Sequence, residues 1–345
     1  MTDPSSQAPL HLVTGVAGNL GSSVAARLLA DGADVRGLVL PGDPAAARVP
    51  AEVDLRTGDV TDPASIERFF DAEPGRPLVV IHCAAIVTVE AGFSQLVHDV
   101  NITGTRTIVD ACLAHGVRKL VYVGSTGAIP ERPRGIPITE VDHFDPAAVV
   151  GYYGQSKAAA SQIVLDAVRT SGLNATLVQP AGIAGPDDYA FGPVSSFVID
   201  YCHGKLRAGI DGSFNAVDVR DLADAIVTAI DAGGIGESYI LGNELVTMRR
   251  MFALLSELTG TPPVTTILPA WAGHALGKAS DAWHQVSGTP MRMTSFAVYN
   301  LTRNNEYDSA KARRELWFTT RPFADTLADT IAWLEREGRI NALAA

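Results

Sequence analysis

Tyr153 and Lys157 stand four residues apart in "YYGQSKAAAS", a run that opens on two tyrosines and continues into alanines. Residues four apart share one face of a helix, which sets a phenol beside an ammonium, while Tyr152 points about a quarter-turn away. A phenol with an ordinary pKa of about 10 is a poor proton shuttle near neutrality, and a neighbouring positive charge favours the phenolate and lowers that value. The chemistry this suits is proton exchange with a carbonyl oxygen. A third group must hold that oxygen. "KLVYVGSTGAIP" is a buried-strand pattern running into Ser125, with Thr126 as the second choice, and the carboxyl ends of parallel strands border the ligand crevice. The bland alternative makes Tyr153 a helix-end residue, Lys157 a solvated charge and Ser125 the start of a turn.

A second constellation lies near the start. "HLVTGVAGNLGSSVAARLLADGADVRGLVL" places Gly15, Gly18 and Gly21 directly after a strand pattern and at the mouth of a helix, with Asn19 and Leu20 between the last two glycines. A helix N-terminus offers free N–H groups and partial positive charge to a pyrophosphate, and glycine lets the backbone come close to it. The spacing is GxxGxxG, and the strand, helix, strand context makes it a dinucleotide-binding loop. The next strand ends Leu38, Val39, Leu40, Pro41, Gly42, Asp43. An acid there would read the ribose of NAD and an arginine the phosphate of NADP. Asp43 is the available acid, with Arg36 inside the strand and Arg48 further on, so the expected cofactor is NAD, with NADP as the alternative.

The elements that must position these residues follow from the alternation of short apolar runs with amphipathic stretches. "LHLVTG", "DVRGLVL", "VDLRTGDV", "PLVVIHCA", "RKLVYVGS" and "NATLVQPAG" read as buried strands, with helices beginning near Gly18, Asp62, Gly92 and Val149. That rhythm predicts an α/β fold, a doubly wound Rossmann parallel sheet, with a smaller C-terminal substrate-binding lobe. The expected division is a tail over 1–9, a dinucleotide-binding domain over 10–180 to which 216–242 returns, and a substrate lobe from 181–215 and 243–340. "DVRDLADAIVTAIDAG" reads as one amphipathic helix and "ESYILG" as a strand.

Composition narrows the function. A net charge of −11 gives no basic footprint for nucleic acid or anionic membrane. Cys83, Cys112 and Cys202 are an odd, widely spaced set that suggests neither disulfides nor zinc, and eight scattered histidines form no metal motif; no metal is expected. No apolar run is long enough to span a bilayer, and a reducing cytoplasm is the expected location.

Taken together, "TGVAGNLG", "GDVTDPASI", "VIHCAAIV", "DVNITGTRTIVDAC", "LVYVGSTGAIPE", "YYGQSK", "QPAGIAGP" and "VDVRDLADAI" resemble the extended short-chain dehydrogenase/reductases of the epimerase/dehydratase superfamily. The likeness runs from about Leu10 to about Glu337 and is strongest to the dihydroflavonol reductase, cinnamoyl-CoA reductase and 3β-hydroxysteroid dehydrogenase branch. The resemblance implies that Asp59 and Val60 contact adenine, that Ala84 and Ala85 run beside the cofactor ribose, and that Asn101 lies in the cofactor-side helix. It also implies that Tyr153 is the acid/base, that Lys157 binds the nicotinamide ribose as well as assisting Tyr153, and that Pro180, Gly182 and Ile183 touch the carboxamide end. A homodimer is implied, paired through "GFSQLVHDVNITGTRTIVDACLAHG" and the helix of Tyr153.

The sequence departs from the sugar-nucleotide branch. The epimerase-like "RPxNxYGP" reads "QPAGIAGP", with Gln179, Gly182 and Ala184 in place of arginine, asparagine and tyrosine. The expected activity is therefore NAD(P)-dependent interconversion of a carbonyl and an alcohol on a moderately apolar small molecule. A nucleotide-sugar epimerase using the same three residues is one rival, and a non-catalytic dinucleotide-sensing regulator another. Substrate choice is expected from the stretch carrying Trp271, Trp283, Met291, Met293, Phe296 and Tyr299, residues suited either to an apolar pocket or to ordinary packing.

Overall fold

In the computed structural model, residues 7–88, 90, 92–287 and 294–341 are described. The first part of the chain runs β1 (Leu10–Thr14), α1 (Asn19–Ala30), β2 (Asp34–Val39), β3 (Asp54–Thr57), α2 (Pro63–Phe70), β4 (Leu78–His82), α3 (Gln95–His98), α4 (Gly104–Ala114), β5 (Lys119–Val123), α5 (Tyr152–Ser171) and β6 (Ala175–Pro180). The second part runs β7 (Gly182–Ala184), α6 (Pro193–Cys202), β8 (Gly209–Ile210), β9 (Ser213–Asp218), α7 (Val219–Ala232), β10 (Ser238–Leu241), β11 (Glu244–Thr247), α8 (Met248–Thr259), β12 (Ile267–Leu268), α9 (Ala270–Ser287), α10 (Ser295–Thr302), α11 (Ala310–Glu315) and α12 (Phe323–Arg336).

The central sheet has seven parallel strands in the order β10-β6-β5-β4-β1-β2-β3. Its inner strands β1, β4, β5 and β6 are buried along their whole length because both faces are covered, whereas the edge strand β3 is only partly buried. Leu78 and Val80 of β4 pack with residues of α2, α4 and α5, whereas Val79 and Ile81 pack with residues of α1 and α7. Strand order reverses between β1 and β4, which opens a crevice at their carboxyl ends.

Beyond β6 the chain builds a smaller layer, a three-stranded sheet ordered β11-β9-β7 and a two-stranded β12-β8 pair. A third core, with Phe252, Phe323, Leu327 and Trp333, joins it to α6, α8 and α12. The stretch "DVRDLADAIVTAIDAG" forms one helix, α7, as expected, and its first residue, Asp218, ends β9 and caps that helix. Asp218 Oδ1 accepts from Arg220 N at 2.8 Å, so the helix begins only at Val219. The long helix expected from "GFSQ" to "LAHG" is interrupted by a wide π turn over Asp99–Thr103.

The small layer touches the helix of Tyr153. Gly151, at φ +84°, precedes that helix, and a Cβ there would lie 2.3 Å from two ring carbons of Phe296 on α10. Tyr299 donates through its hydroxyl to Glu131 Oε2 at 2.9 Å. Trp271 and Trp283 are 74% and 60% exposed, so neither lines an enclosed pocket among the described residues; Met291 and Met293 lie outside those residues. No described helix is long and apolar enough to cross a membrane.

Candidate active site

The glycine loop is shaped by its own close contacts. Gly15 has φ +66°, and a Cβ on it would come within 2.9 Å of the Ala84 backbone. At Gly21 a Cβ would lie 2.1 Å from Gly15 O, so the first turn of α1 can rest on the loop only without a side chain. Gly18 is different: it caps α1 at φ −83°, and its Cβ would meet only Gly15 O, at 3.3 Å. No side chain caps this helix, and Leu20 is buried beneath it. Buried Asn19 Oδ1 has no hydrogen-bond partner among the described residues. An uncapped helix start over a side-chain-free cradle fits the pyrophosphate of a dinucleotide.

The remaining residues that the resemblance assigns to the cofactor are distributed along the same rim, and several have structural duties. Asp59 Oδ1 accepts from Thr61 N and Oγ1, both at 2.8 Å, while Asp62 caps α2. Val60 is in the core and packs where a Cβ on Gly104 would go. Ala84 and Ala85 are half-buried after β4, and Ala84 N donates to Thr14 Oγ1 at 3.2 Å. Asn101, within the π turn, accepts from Ile86 N at 2.8 Å and donates through Nδ2 to Ile86 O and Ser156 Oγ, tying the segment after β4 to α5. Pro180 ends β6; Gly182 and Ile183 lie in β7, and a Cβ on Gly182 would meet Asn215 O at 2.8 Å.

At the end of β2, Leu40 is exposed, and Asp43 Oδ1 accepts from Ala45 N at 2.8 Å. Arg36 is bound to Asp54 at 2.8 Å and to the carbonyls of Phe69 and Asp71, and the Arg48 guanidinium stacks 4.5 Å from the Tyr189 ring. Arg36 is therefore not available to a ribose phosphate.

Ser125, Tyr153 and Lys157 converge from two elements. β5 delivers Ser125 just past its carboxyl end, and α5 presents Tyr153 and Lys157 on adjoining turns. Gly127 brings them together: a Cβ on it would lie 3.3 Å from Ser125 Oγ and 3.9 Å from the Tyr153 ring. Burial raises the Tyr153 pKa above its ordinary value, and the Ser125 hydroxyl opposes the rise. This differs from the lowering that helical spacing alone suggests. Lys157 is 4% exposed, its Nζ donates to Val123 O at 2.9 Å, and burial lowers its own pKa to about 8. At Tyr153 the dehydration of the phenol itself is the leading influence.

The depressed lysine carries a stability consequence. Between pH 8 and its unfolded value near 10.5, Lys157 binds more proton in the unfolded chain than in the folded one, so stability rises with pH across that window. The penalty below pH 8 amounts to roughly 3 kcal/mol. Lys119, likewise lowered to about 8, acts equally in parent and variant. Urea denaturation at pH 7.5 and 10 is expected to show a smaller gain for Lys157→Met than for the parent; an equal gain would contradict it.

His82 carries no role in the sequence reading. It is 1% exposed at the end of β4, with Nδ1 2.7 Å from Thr14 Oγ1 and Nε2 3.2 Å from Thr105 Oγ1. Burial first, then the charge of Lys157, lowers its pKa to about 3, which keeps it neutral and outside proton transfer at ordinary pH. Its only signal is a polar residue closing an otherwise apolar strand. Among the described residues no cluster of three or more His, Cys, Asp or Glu could hold a metal.

A seven-stranded doubly wound sheet, a glycine cradle and a serine, tyrosine and lysine at one crevice define an extended short-chain dehydrogenase/reductase, a class of NAD(P)-dependent enzymes. The chain belongs to the NAD dependent epimerase/dehydratase family, whose sequence model matches residues 11–242. It is 32% identical over 335 residues to "Sterol demethylase protein B" of Methylococcus capsulatus (strain Bath), covering 95% of this chain and 99% of that one. It is 28% identical to a "Sterol-4-alpha-carboxylate 3-dehydrogenase, decarboxylating" of Schizosaccharomyces pombe, covering 82% and 84%. The crystal structure of gox2253 superposes with a TM-score of 0.84 at 29% identity, covering 97% and 99%. UDP-glucose 4-epimerase of Thermus thermophilus, solved as a complex with NAD, superposes at 0.75 with 23% identity, covering 94% and 99%, and shares the fold.

Proposed function

We propose that this protein is an NAD-dependent oxidoreductase that interconverts a ketone or aldehyde and an alcohol on a bulky, apolar small molecule. The observation that carries it is the meeting of Ser125 and Tyr153 at the end of β5, with Lys157 buried one turn further along α5. Gly15, Gly18 and Gly21 with the start of α1 would hold the pyrophosphate, and the engagement of Arg36 elsewhere favours NAD over NADP. NAD, when bound, accepts or supplies the hydride.

The residues of the chain do the rest. Ser125 Oγ holds the substrate oxygen and Tyr153 Oη gives it a proton. A tyrosine whose pKa is raised stays protonated, which suits donation to a carbonyl and hence the reductive direction. Lys157, which keeps its proton below about pH 8, aids the tyrosine once it has become phenolate.

Relatives support an apolar substrate: their names include sterol-4-alpha-carboxylate 3-dehydrogenases and a farnesyl-bearing quinoline oxide ketoreductase. Gln179, Gly182 and Ala184 leave a nucleotide sugar without the anchors of the sugar-nucleotide pattern. The reading includes the homodimer and the cytoplasmic location expected from the sequence.

The test is a panel of cyclohexanone, an aromatic aldehyde and a 3-ketosteroid, each with NADH and NADPH and followed by nicotinamide absorbance, with UDP-glucose run in parallel. Net oxidation of NADH, greatest with the steroid, is expected. Turnover of UDP-glucose without net cofactor change, and inertness towards every carbonyl, would overturn the reading.

A further inference from the structure

We propose that Gln179 is the positioning residue that sets Ser125 for the reaction, an assignment resting on the role given to Ser125 above. Gln179 is the last residue but one of β6 and is fully buried. Its Oε1 accepts from Ser125 N at 2.6 Å. The residue before the serine is shaped to admit this bond: a Cβ on Gly124 would lie 2.1 Å from Oε1, 2.7 Å from Cδ and 2.8 Å from Nε2 of Gln179. The amide thus lies flat against the Gly124 backbone, a seat that only glycine leaves open.

The seat has an energetic signature. Gln179 Nε2 has no hydrogen-bond partner among the described residues, and an unpaired buried donor costs about 1–3 kcal/mol. A leucine would carry no such unpaired donor. Retaining an amide here makes sense if its oxygen is needed, and the described contact of that oxygen is the Ser125 N–H.

The contact also completes a frame. Gly124 N donates to Val178 O at 2.8 Å and Lys157 Nζ to Val123 O at 2.9 Å, which fix the chain as it enters the serine. Gly127 N donates to Ser125 Oγ at 3.1 Å, which fixes the turn leaving it. Between these, the described hydrogen bond of the serine's own N–H goes to Gln179. Losing it frees the main chain that aims Oγ towards Tyr153, and misplacement of a reacting group by about 1 Å can lower a rate by about 100-fold.

The test uses the full-length protein with NADH and two probes, cyclohexanone and a 3-ketosteroid. Gln179→Leu is expected to lower kcat about 10- to 100-fold, with KM and the NADH dissociation constant within threefold of the parent. Amide exchange in a peptide spanning Ser125 should quicken about tenfold, with distant peptides unchanged. Gly124→Ala, which displaces the amide, should give the same kcat loss. Gln179→Glu, whose carboxyl offers an oxygen to accept from Ser125 N in either protonation state, should recover most of kcat. If Gln179→Leu does not fold, Gln179→Met is read in its place. Should the kcat of the Leu or Met variant stay within threefold of the parent while Ser125→Ala loses 100-fold or more, the assignment of Gln179 fails and the role of Ser125 stands. Should Ser125→Ala itself stay within threefold, both fall.

Discussion

Tyr153→Phe is expected to lower kcat by about 1,000-fold, within the range of about 100- to 10,000-fold that positioned acid–base groups contribute, with NADH affinity unchanged. The ring is half-buried beside Ser125, so phenylalanine preserves the packing and removes only the hydroxyl. Ser125 could still hold the substrate oxygen, but His82 is unsuited to replace the lost proton donor because it is buried, neutral and turned towards Thr14 and Thr105. Stopped-flow measurement of NADH oxidation, with NADH fluorescence as the binding control, decides the matter. A variant retaining a tenth of the parent rate would mean that another group moves the proton, and the catalytic reading of this crevice would have to be abandoned.

The second large effect concerns the glycine loop, where two substitutions should separate folding from binding. Gly21→Ala forces a methyl to within 2.1 Å of Gly15 O, backbone against backbone, and neither the strand end nor the helix can yield without opening the cradle. The NADH dissociation constant should rise at least 100-fold, equivalent to about 2.7 kcal/mol, accompanied by a lower melting temperature. Gly18→Ala meets a milder obstacle, since its φ suits alanine and its only close atom, Gly15 O at 3.3 Å, need move only slightly. It should leave the melting temperature nearly unchanged while weakening NADH binding, because the methyl stands where a pyrophosphate would approach the helix. Calorimetric titration and thermal denaturation of both variants check this; a Gly21→Ala protein that binds NADH normally would remove the loop from the cofactor site.

The parts of this arrangement legible in the sequence are those governed by local rules. The strands of the central sheet declare themselves as short runs, most plainly β1 and β4, where burial along the whole strand leaves no polar alternation to confuse them. The glycine loop and the pair Tyr153 and Lys157 are legible because both depend on spacing along a single turn or helix. β9 is hidden because its last residues share an apolar rhythm with α7, and only pairing with β7 and β11 makes it a strand. The buried polar contacts are hidden for a related reason. Gln179 reaches Ser125 across 54 positions and His82 reaches Thr14 across 68, and nothing in the neighbouring residues of either announces the partner. The direction of the Tyr153 shift is not legible in the sequence because helical spacing gives proximity to an amine, whereas the burial of the phenol, which comes from the tertiary fold, leads.

The ring of Phe296 fills the space a methyl on Gly151 would need, immediately ahead of the turn that carries Tyr152 and Tyr153. The small lobe is therefore geared to the acid–base helix rather than hinged freely above it. A side chain at position 151 would have to push the Phe296 ring and α10 away from the start of α5, so the bare backbone there is what lets the two pieces meet so closely.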